Sequence, residues 1–69
     1  MFLRVKDSSK LDSSLLKDGD IILFSRFGSS FKSFYGTTLT GNKIIVKFQG
    51  NINIRRDFFN ILTPVKQKN

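Results

Sequence analysis

The sequence GDIILFSRF, residues 19–27, contains the strongest strand signal in the chain. Four consecutive apolar residues, Ile21 to Phe24, follow a turn formed by residues 17–20. A run that is apolar at both alternating positions is typical of a strand whose two faces are both covered. In a chain of 69 residues, this run predicts the central strand of a tightly curved sheet. The flanking segments are interpreted as the strands and loops that cover it.

The composition favours a single all-β domain spanning residues 1–69. Eight Phe and a hydrophobic share of 39% supply enough apolar material for one compact core. Glu and Ala, which helical surfaces use freely, are absent, whereas Ile, Phe, Thr and turn-forming residues are frequent. Residues 66–69 are polar and basic, and we expect them to form a frayed tail.

The segments before the central strand predict one short strand and one loop. Residues 2–6 alternate, which places Leu3 and Val5 on the inner face, and the charges of this short strand indicate a sheet edge. Residues 7–18 are polar and serine-rich. We expect them to form an irregular loop that Leu11, Leu15 and Leu16 attach to the core.

Two hairpins are predicted after the central strand. Gly41 and Asn42 form a tight-turn dipeptide within TTLTGNKIIV, residues 37–46, which predicts the first hairpin. A second hairpin is expected over residues 43–56, with its turn at Gly50 and Asn51. In its first strand, alternation places Ile44, Val46 and Phe48 on one face and Ile45 and Lys47 on the other.

The last part of the chain predicts a closing strand. Residues 57–60, DFFN, follow the pattern of a single 3₁₀ turn. Pro64 confines the strand after this turn to an edge. The assembled prediction is a small five-stranded β-barrel with a 3₁₀ turn before its last strand, because bending the sheet covers both faces of the central strand.

Two segments resemble SH3-like barrels. Residues 15–22, LLKDGDII, are similar to the diverging turn of SH3 domains, where a leucine precedes a Gly-Asp and an apolar strand. Residues 57–65 resemble the 3₁₀ turn and closing strand of the same fold. The resemblance implies an SH3-like barrel. It also argues against a receptor for proline-rich peptides, because the chain has no Trp and lacks the acidic loop of those domains.

The residue types present argue against an enzyme. The chain has neither His nor Cys, so the commonest general base and the commonest thiol nucleophile are missing, and a Cys/His metal site is excluded. Asp18 and Asp20 are interpreted as turn formers, since a calcium loop would require further oxygen ligands at a fixed spacing. We therefore expect no catalytic residues, no metal and no cofactor.

The charge predicts an anionic partner. Twelve Lys and Arg outnumber five acids, all Asp, which gives a net charge of +7. Such a field attracts nucleic acid or an acidic protein surface. No stretch approaches the ~20 apolar residues of a membrane span, and we expect a cytoplasmic protein.

Two binding hypotheses follow. In the first, the protein is a nucleic-acid-binding barrel that uses basic side chains for phosphates and interleaved aromatics for stacking on bases. In the second, it is a protein-interaction factor, for example of a phage or mobile element, that docks on an acidic host enzyme with Ile45 as its anchor. We expect Lys47 and Arg55 to be neighbours across the second hairpin. No more than two of Phe27, Phe31, Phe34 and Tyr35 should be exposed, because most Phe must fill the core. The candidate binding residues are Arg26, Phe31, Lys32, Tyr35, Lys43, Ile45, Lys47, Arg55 and Arg56.

Overall fold

A computed structural model describes residues 1–66. These residues form one curled, half-barrel sheet of six antiparallel strands and one short helix, with the strand order β2-β5-β4-β3-β1-β6. Two 3₁₀ turns, Ser8–Lys10 and Ser29–Phe31, lie in the connections. The elements are β1 (Phe2–Val5), β2 (Leu11–Asp12), β3 (Ile21–Phe27), β4 (Ser33–Thr38), β5 (Lys43–Phe48), α1 (Ile54–Ile61) and β6 (Leu62–Pro64).

The core lies on the concave inner face of the sheet. Alternation along β1 turns Leu3 and Val5 inward, as predicted, and both are fully buried. Helix α1 covers part of the same face with Phe58 and Ile61, which are three residues apart and therefore share one side of the helix. The remaining fully buried side chains that fill this core are Ile22, Phe34, Val46 and Leu62.

The first predicted hairpin is confirmed. Strands β4 and β5 pair in antiparallel register, and the backbone N–H of Gly41 donates to the Thr38 carbonyl at 2.9 Å in the connection. Gly41 has a φ of +91°, a conformation that glycine adopts without steric cost. The predicted facing of β5 is also confirmed, because Val46 is buried whereas Ile45 and Lys47 are exposed.

Three expectations about the first half of the chain are wrong. Strand β1 is an interior strand rather than an edge, because it pairs with β3 on one side and β6 on the other. Leu15 is exposed, and only Leu11 and Leu16 attach the first loop to the core. Leu23 of the central strand is 40% exposed, so β3 is not covered on both faces.

The second predicted hairpin is replaced by helix α1, and the sheet has six strands rather than five. The side chain of Asn53 caps the helix by accepting a hydrogen bond from the Arg56 N–H at 3.4 Å. Ile54, Phe58 and Ile61 are spaced by four and three residues, which aligns them on one face of a helix. The same helix replaces the 3₁₀ turn expected at residues 57–60. The additional strand is β2, which lies within the region that was expected to be a loop and pairs with β5.

No helix within residues 1–66 is long and apolar enough to cross a membrane. Of the expected basic tail, only Lys66 belongs to the described residues, and the rest lies outside them.

Candidate functional site

The convex outer face of the sheet gathers five of the nine candidate residues. Tyr35 on β4 is paired with Arg26 on β3 and with Ile45 on β5, so the three side chains form one row across the face. Lys43 and Lys47 flank Ile45 along β5 and point to the same side. The outer face is therefore built from Arg26, Tyr35, Lys43, Ile45 and Lys47.

A β-bulge turns Arg26 to this face. Ile22 and Phe24 are inward-facing residues of β3, and strict alternation would direct residue 26 inward as well. The register shifts between Phe24 and Arg26, so that one extra residue, Ser25, reverses the alternation. Arg26 then points outward beside Tyr35, while the next residue, Phe27, returns to the inner side against Phe34.

The bulge faces a glycine that permits close contact between the strands. Gly36 is paired with Phe24 immediately before the bulge. A Cβ atom at Gly36 would lie 2.9 Å from the carbonyl oxygen of Leu23, a distance that requires backbone displacement. The irregularity lies opposite Gly36, on β3.

Arg26 and Tyr35 form a cation–π pair. The guanidinium carbon lies 4.0 Å from the centre of the tyrosine ring, well within the range of such interactions. The guanidinium lies over the tyrosine ring, and Arg26 remains exposed. The face of the guanidinium that points away from the ring is therefore available to a ligand.

The outer face carries more positive than negative charge. Lys43 is paired with Thr37, and Lys47 lies between Ser33 and Asp12 on the neighbouring strands. The centre of the face is partly apolar, since Ile45 is 61% exposed. The surface thus combines an aromatic–guanidinium pair, an exposed aliphatic side chain and two ammonium groups.

Sequence reasoning missed Arg4 as a member of this surface. Arg4 is exposed on the outer side of β1, between Ile21 on β3 and Thr63 on β6. The alternation of residues 2–6 had already turned it outward. The edge position expected for β1 would have placed Arg4 away from the basic residues of the other strands.

A second surface is an open groove on the inner side of the half-barrel, where helix α1 leaves the sheet uncovered. Its volume is about 950 Å³, and it is lined largely by apolar side chains of β3, β5 and α1. Phe31, Lys32 and Arg55, three more of the candidate residues, lie along it. The aromatic part of its lining consists of Phe24, Phe27, Phe31, Phe48, Phe58 and Phe59.

Eight of the nine candidate residues therefore lie on these two surfaces, and Arg56 lies on neither. Arg55 lies on α1, not on a strand beside β5, so the predicted pairing of Lys47 with Arg55 is wrong. Arg56 is on the same helix, and its Nε is 3.3 Å from Oδ1 of Asp57. The prediction that no more than two of four aromatic residues are exposed is confirmed. Among Phe27, Phe31, Phe34 and Tyr35, only Phe31 is exposed.

The carboxylates serve loop structure. Asp18 accepts a hydrogen bond from the Ser8 backbone N–H at 2.7 Å, and this bond lowers the pKa of the Asp18 carboxyl below its ordinary value of 3.8. Asp20 accepts from the Lys17 N–H at 2.9 Å within the turn before β3. Within residues 1–66, acidic side chains form no cluster of three that would hold a metal ion.

No protein family model matches this chain, and neither a curated protein nor a solved structure is similar to it at a significant level.

Proposed function

We propose that this protein is a non-enzymatic nucleic-acid-binding module that binds single strands with the outer face of its sheet. The observation that carries the proposal is the stacking of Arg26 on Tyr35 between two lysines on one exposed surface. The alternative expectation, a protein-docking surface centred on Ile45, uses the same face.

The Arg26–Tyr35 pair supplies a platform for an unpaired base. A base stacks on a guanidinium plane as it does on an aromatic ring, and such stacking contributes about 1–3 kcal/mol per base. The tyrosine below holds the guanidinium in place, so less side-chain freedom is lost when the base binds. Stacking of this kind does not depend on base identity, which predicts weak sequence preference.

The lysines supply phosphate contacts. Lys43 and Lys47 are four residues apart on β5, which separates their Cα atoms by about 14 Å. This spacing lets one extended strand meet both ammonium groups while a base reaches the platform beside them. Asp12 lies next to Lys47, so we expect Lys43 to contribute more to binding than Lys47.

The SH3-like fold and the cytoplasmic location belong to the same proposal. The fold assignment is supported by the turn at residues 17–20, which leads directly into β3, and by β6, which pairs with β1 after the helix. An intracellular location accords with a partner that is nucleic acid.

The test is fluorescence anisotropy with a labelled single-stranded oligonucleotide of about 16 nucleotides. Titrations are made between about 50 and 200 mM salt, because each neutralised phosphate contributes about 0.7 to the slope of log K against log salt for single strands. The double variant Lys43→Ala/Lys47→Ala should lower that slope by up to about 1.4 and weaken binding equally for different sequences.

Two further variants separate stacking from charge. Arg26→Lys keeps the charge but removes the planar group, so binding should weaken by about tenfold while the salt slope is retained. Lys17→Ala removes one exposed cation from the turn before β3 and serves as the control. The proposal is rejected if Lys17→Ala affects binding as much as the changes on the outer face, or if the unchanged protein does not bind the oligonucleotide.

A further inference from the structure

The groove beside α1 is an apolar surface that the proposed function does not use. Its walls come mainly from β3, β5, the helix and the segment that precedes the helix. Phe31 at one end and Phe59 at the other are each 59% exposed. An exposed apolar surface of this kind on a small protein is a common mark of an interaction site.

Four phenylalanine rings connect the two ends of the groove. The centre of the Phe31 ring lies 5.2 Å from that of Phe27, Phe27 lies 5.4 Å from Phe58, and Phe58 lies 5.3 Å from Phe59. All three contacts are edge-to-face, so the rings support one another without closing the groove. A ligand that lies along this row meets the exposed rings of Phe31 and Phe59 and the half-buried ring of Phe27, whereas Phe58 connects them from below.

The backbone that carries Phe31, at one end of the groove, is strained. Ser30 and Phe31 have φ values of +57° and +56°, and a bulky residue with positive φ is a genuine outlier. Each such residue carries a conformational cost, because L side chains rarely adopt this backbone conformation. The contact of Phe31 with Phe27 offsets only part of this cost, because more than half of the Phe31 side chain remains exposed. Strain that leaves an aromatic side chain exposed at the end of a groove points to a ligand that covers it.

The charge around the groove indicates what that ligand carries. Lys32 and Arg55 line it, and its lining contains no acidic residue. A second copy of this chain would bring a net charge of +7 against these cations, so self-association is disfavoured. The mostly apolar lining also has too few cations to bind a nucleic-acid backbone. A ligand that carries carboxylates beside apolar side chains would complement both the cations and the apolar part of the groove.

We infer that the groove binds an acidic amphipathic helix of a partner protein, in which large apolar residues at i, i+4 and i+7 lie on the phenylalanine row and carboxylates reach Lys32 and Arg55. An open groove accepts one face of a helix, and binding of this type depends on a few apolar anchors. Small ligands are bound in sites that enclose most of their surface, which this open groove does not do. The inference is independent of the proposed nucleic-acid binding on the outer face.

The test is a selection from a random peptide library, each displayed peptide being about four helical turns long, against the full chain. We expect the selected peptides to share large apolar residues at helical spacing flanked by Asp or Glu. A synthetic copy of one such peptide is then measured against the double variant Phe31→Ser/Phe59→Ser. Its affinity should fall at least about tenfold, since both rings are exposed anchors.

Control variants distinguish peptide binding in the groove from nonspecific hydrophobic binding and from binding to the outer face of the sheet. Leu39→Ser removes an apolar side chain that is even more exposed than Phe31 and Phe59, from the β4–β5 turn, and should leave peptide binding unchanged. Lys43→Ala/Lys47→Ala should also leave it unchanged, because these residues lie on the opposite face of the sheet. Replacing the acidic residues of the peptide by Gln should weaken binding to the original chain more than to the variant Arg55→Gln.

Several results would overturn the inference. One is a selection that yields no peptide, or only peptides without carboxylates. Another is peptide binding that the double variant retains. A third is sedimentation that shows a dimer which Phe31→Ser/Phe59→Ser converts to a monomer, because the occupant would then be a second copy. A loss of oligonucleotide binding in the same variant would assign the groove to nucleic acid instead.

Discussion

At the scale of single residues, the few acidic side chains are used mainly to hold loops. Asp7 accepts a hydrogen bond from the Ser9 backbone N–H at 3.1 Å, Asp18 accepts from Ser8, and Asp20 accepts from Lys17. Within residues 1–66, Arg56 and Asp57 form the one salt bridge. Most Lys and Arg in this part of the chain are therefore not neutralised by a neighbouring acid, and the positive field extends into solvent.

The Asp18 hydrogen bond predicts a pH-dependent contribution to stability. Folding lowers the pKa of Asp18 because the charged carboxylate accepts the Ser8 N–H. A lowered folded-state pKa stabilises the protein above the ordinary value of 3.8, and this stabilisation is lost as the pH falls further. We expect Asp18→Asn to lower Tm at neutral pH, and the difference from the original protein to narrow as the pH falls towards 2. Thermal unfolding across that range is the measurement, and a difference that stays constant with pH would contradict it.

At the scale of elements, helix α1 changes both the sheet and the site. It replaces the strand that would have paired with β5 and carries Arg55 to the groove. The eight-residue helix is too short to be stable by itself. Its stability therefore depends on its Asn53 cap and on the burial of Phe58 and Ile61.

The cap of α1 can be tested directly. Asn53→Ala removes the side-chain acceptor for the Arg56 N–H and should lower the free energy of unfolding by about 1 kcal/mol. Asn53→Asp keeps an acceptor and places a negative charge at the positive end of the helix, so its stability should remain close to that of the original protein. Urea denaturation measures both, with the exposed Asn51→Ala as a control outside the helix. Equal losses for Ala and Asp at residue 53 would exclude the capping role.

The elements differ in how well the sequence predicts them. Strand β5 was predictable because Ile44, Val46 and Phe48 alternate and the Gly41–Asn42 turn comes directly before them. Residues 52–61 fit both periods, since Ile52 and Ile54 alternate while Ile54, Phe58 and Ile61 follow a helix. The Asn53 cap and the core contacts of Phe58 favour the helix. Asn53 is a residue type that favours the start of a helix, but the alternation of Ile52 and Ile54 favoured a strand.

At the scale of the whole molecule, the half-barrel and the helix share one aromatic core. Phe58 lies at its centre, and its ring is 6.2 Å from Phe24, 5.4 Å from Phe27 and 6.5 Å from Phe48. These contacts connect α1 to both β3 and β5. The inner face of the sheet is thus filled on the side of the helix and remains open as the groove on the other side.

The central position of Phe58 predicts a large loss of stability on truncation. Phe58→Ala should lower the free energy of unfolding by about 3–5 kcal/mol, which is a large part of the total for a domain of this size. The adjacent Phe59→Ala removes a mostly exposed ring and should have an effect below about 1 kcal/mol. Circular dichroism during chemical denaturation compares the two, and similar effects would show that α1 does not pack as described.

The division of the candidate site was not predictable from the sequence, although its members were. Arg26 and Tyr35 belong together because Ser25 is an extra residue in β3, and no local pattern marks such a bulge. Lys43 and Lys47 join them because β5 pairs with β4, which the Gly41–Asn42 turn did predict. Phe31 and Lys32 are close to Arg26 in sequence, but the 3₁₀ turn at Ser29–Phe31 carries them to the groove.

The position of β1 within the sheet has a consequence for how the protein folds. Strands β3, β4 and β5 pair with their neighbours in sequence across short turns and can associate early. Strand β1 must wait for β3 and for β6, where Leu3 meets Pro64 across 61 positions of chain. Of the described strands, β1 is the first to be synthesised and β6 the last, so the apolar side chains of β1 gain their full cover only once β6 has been made.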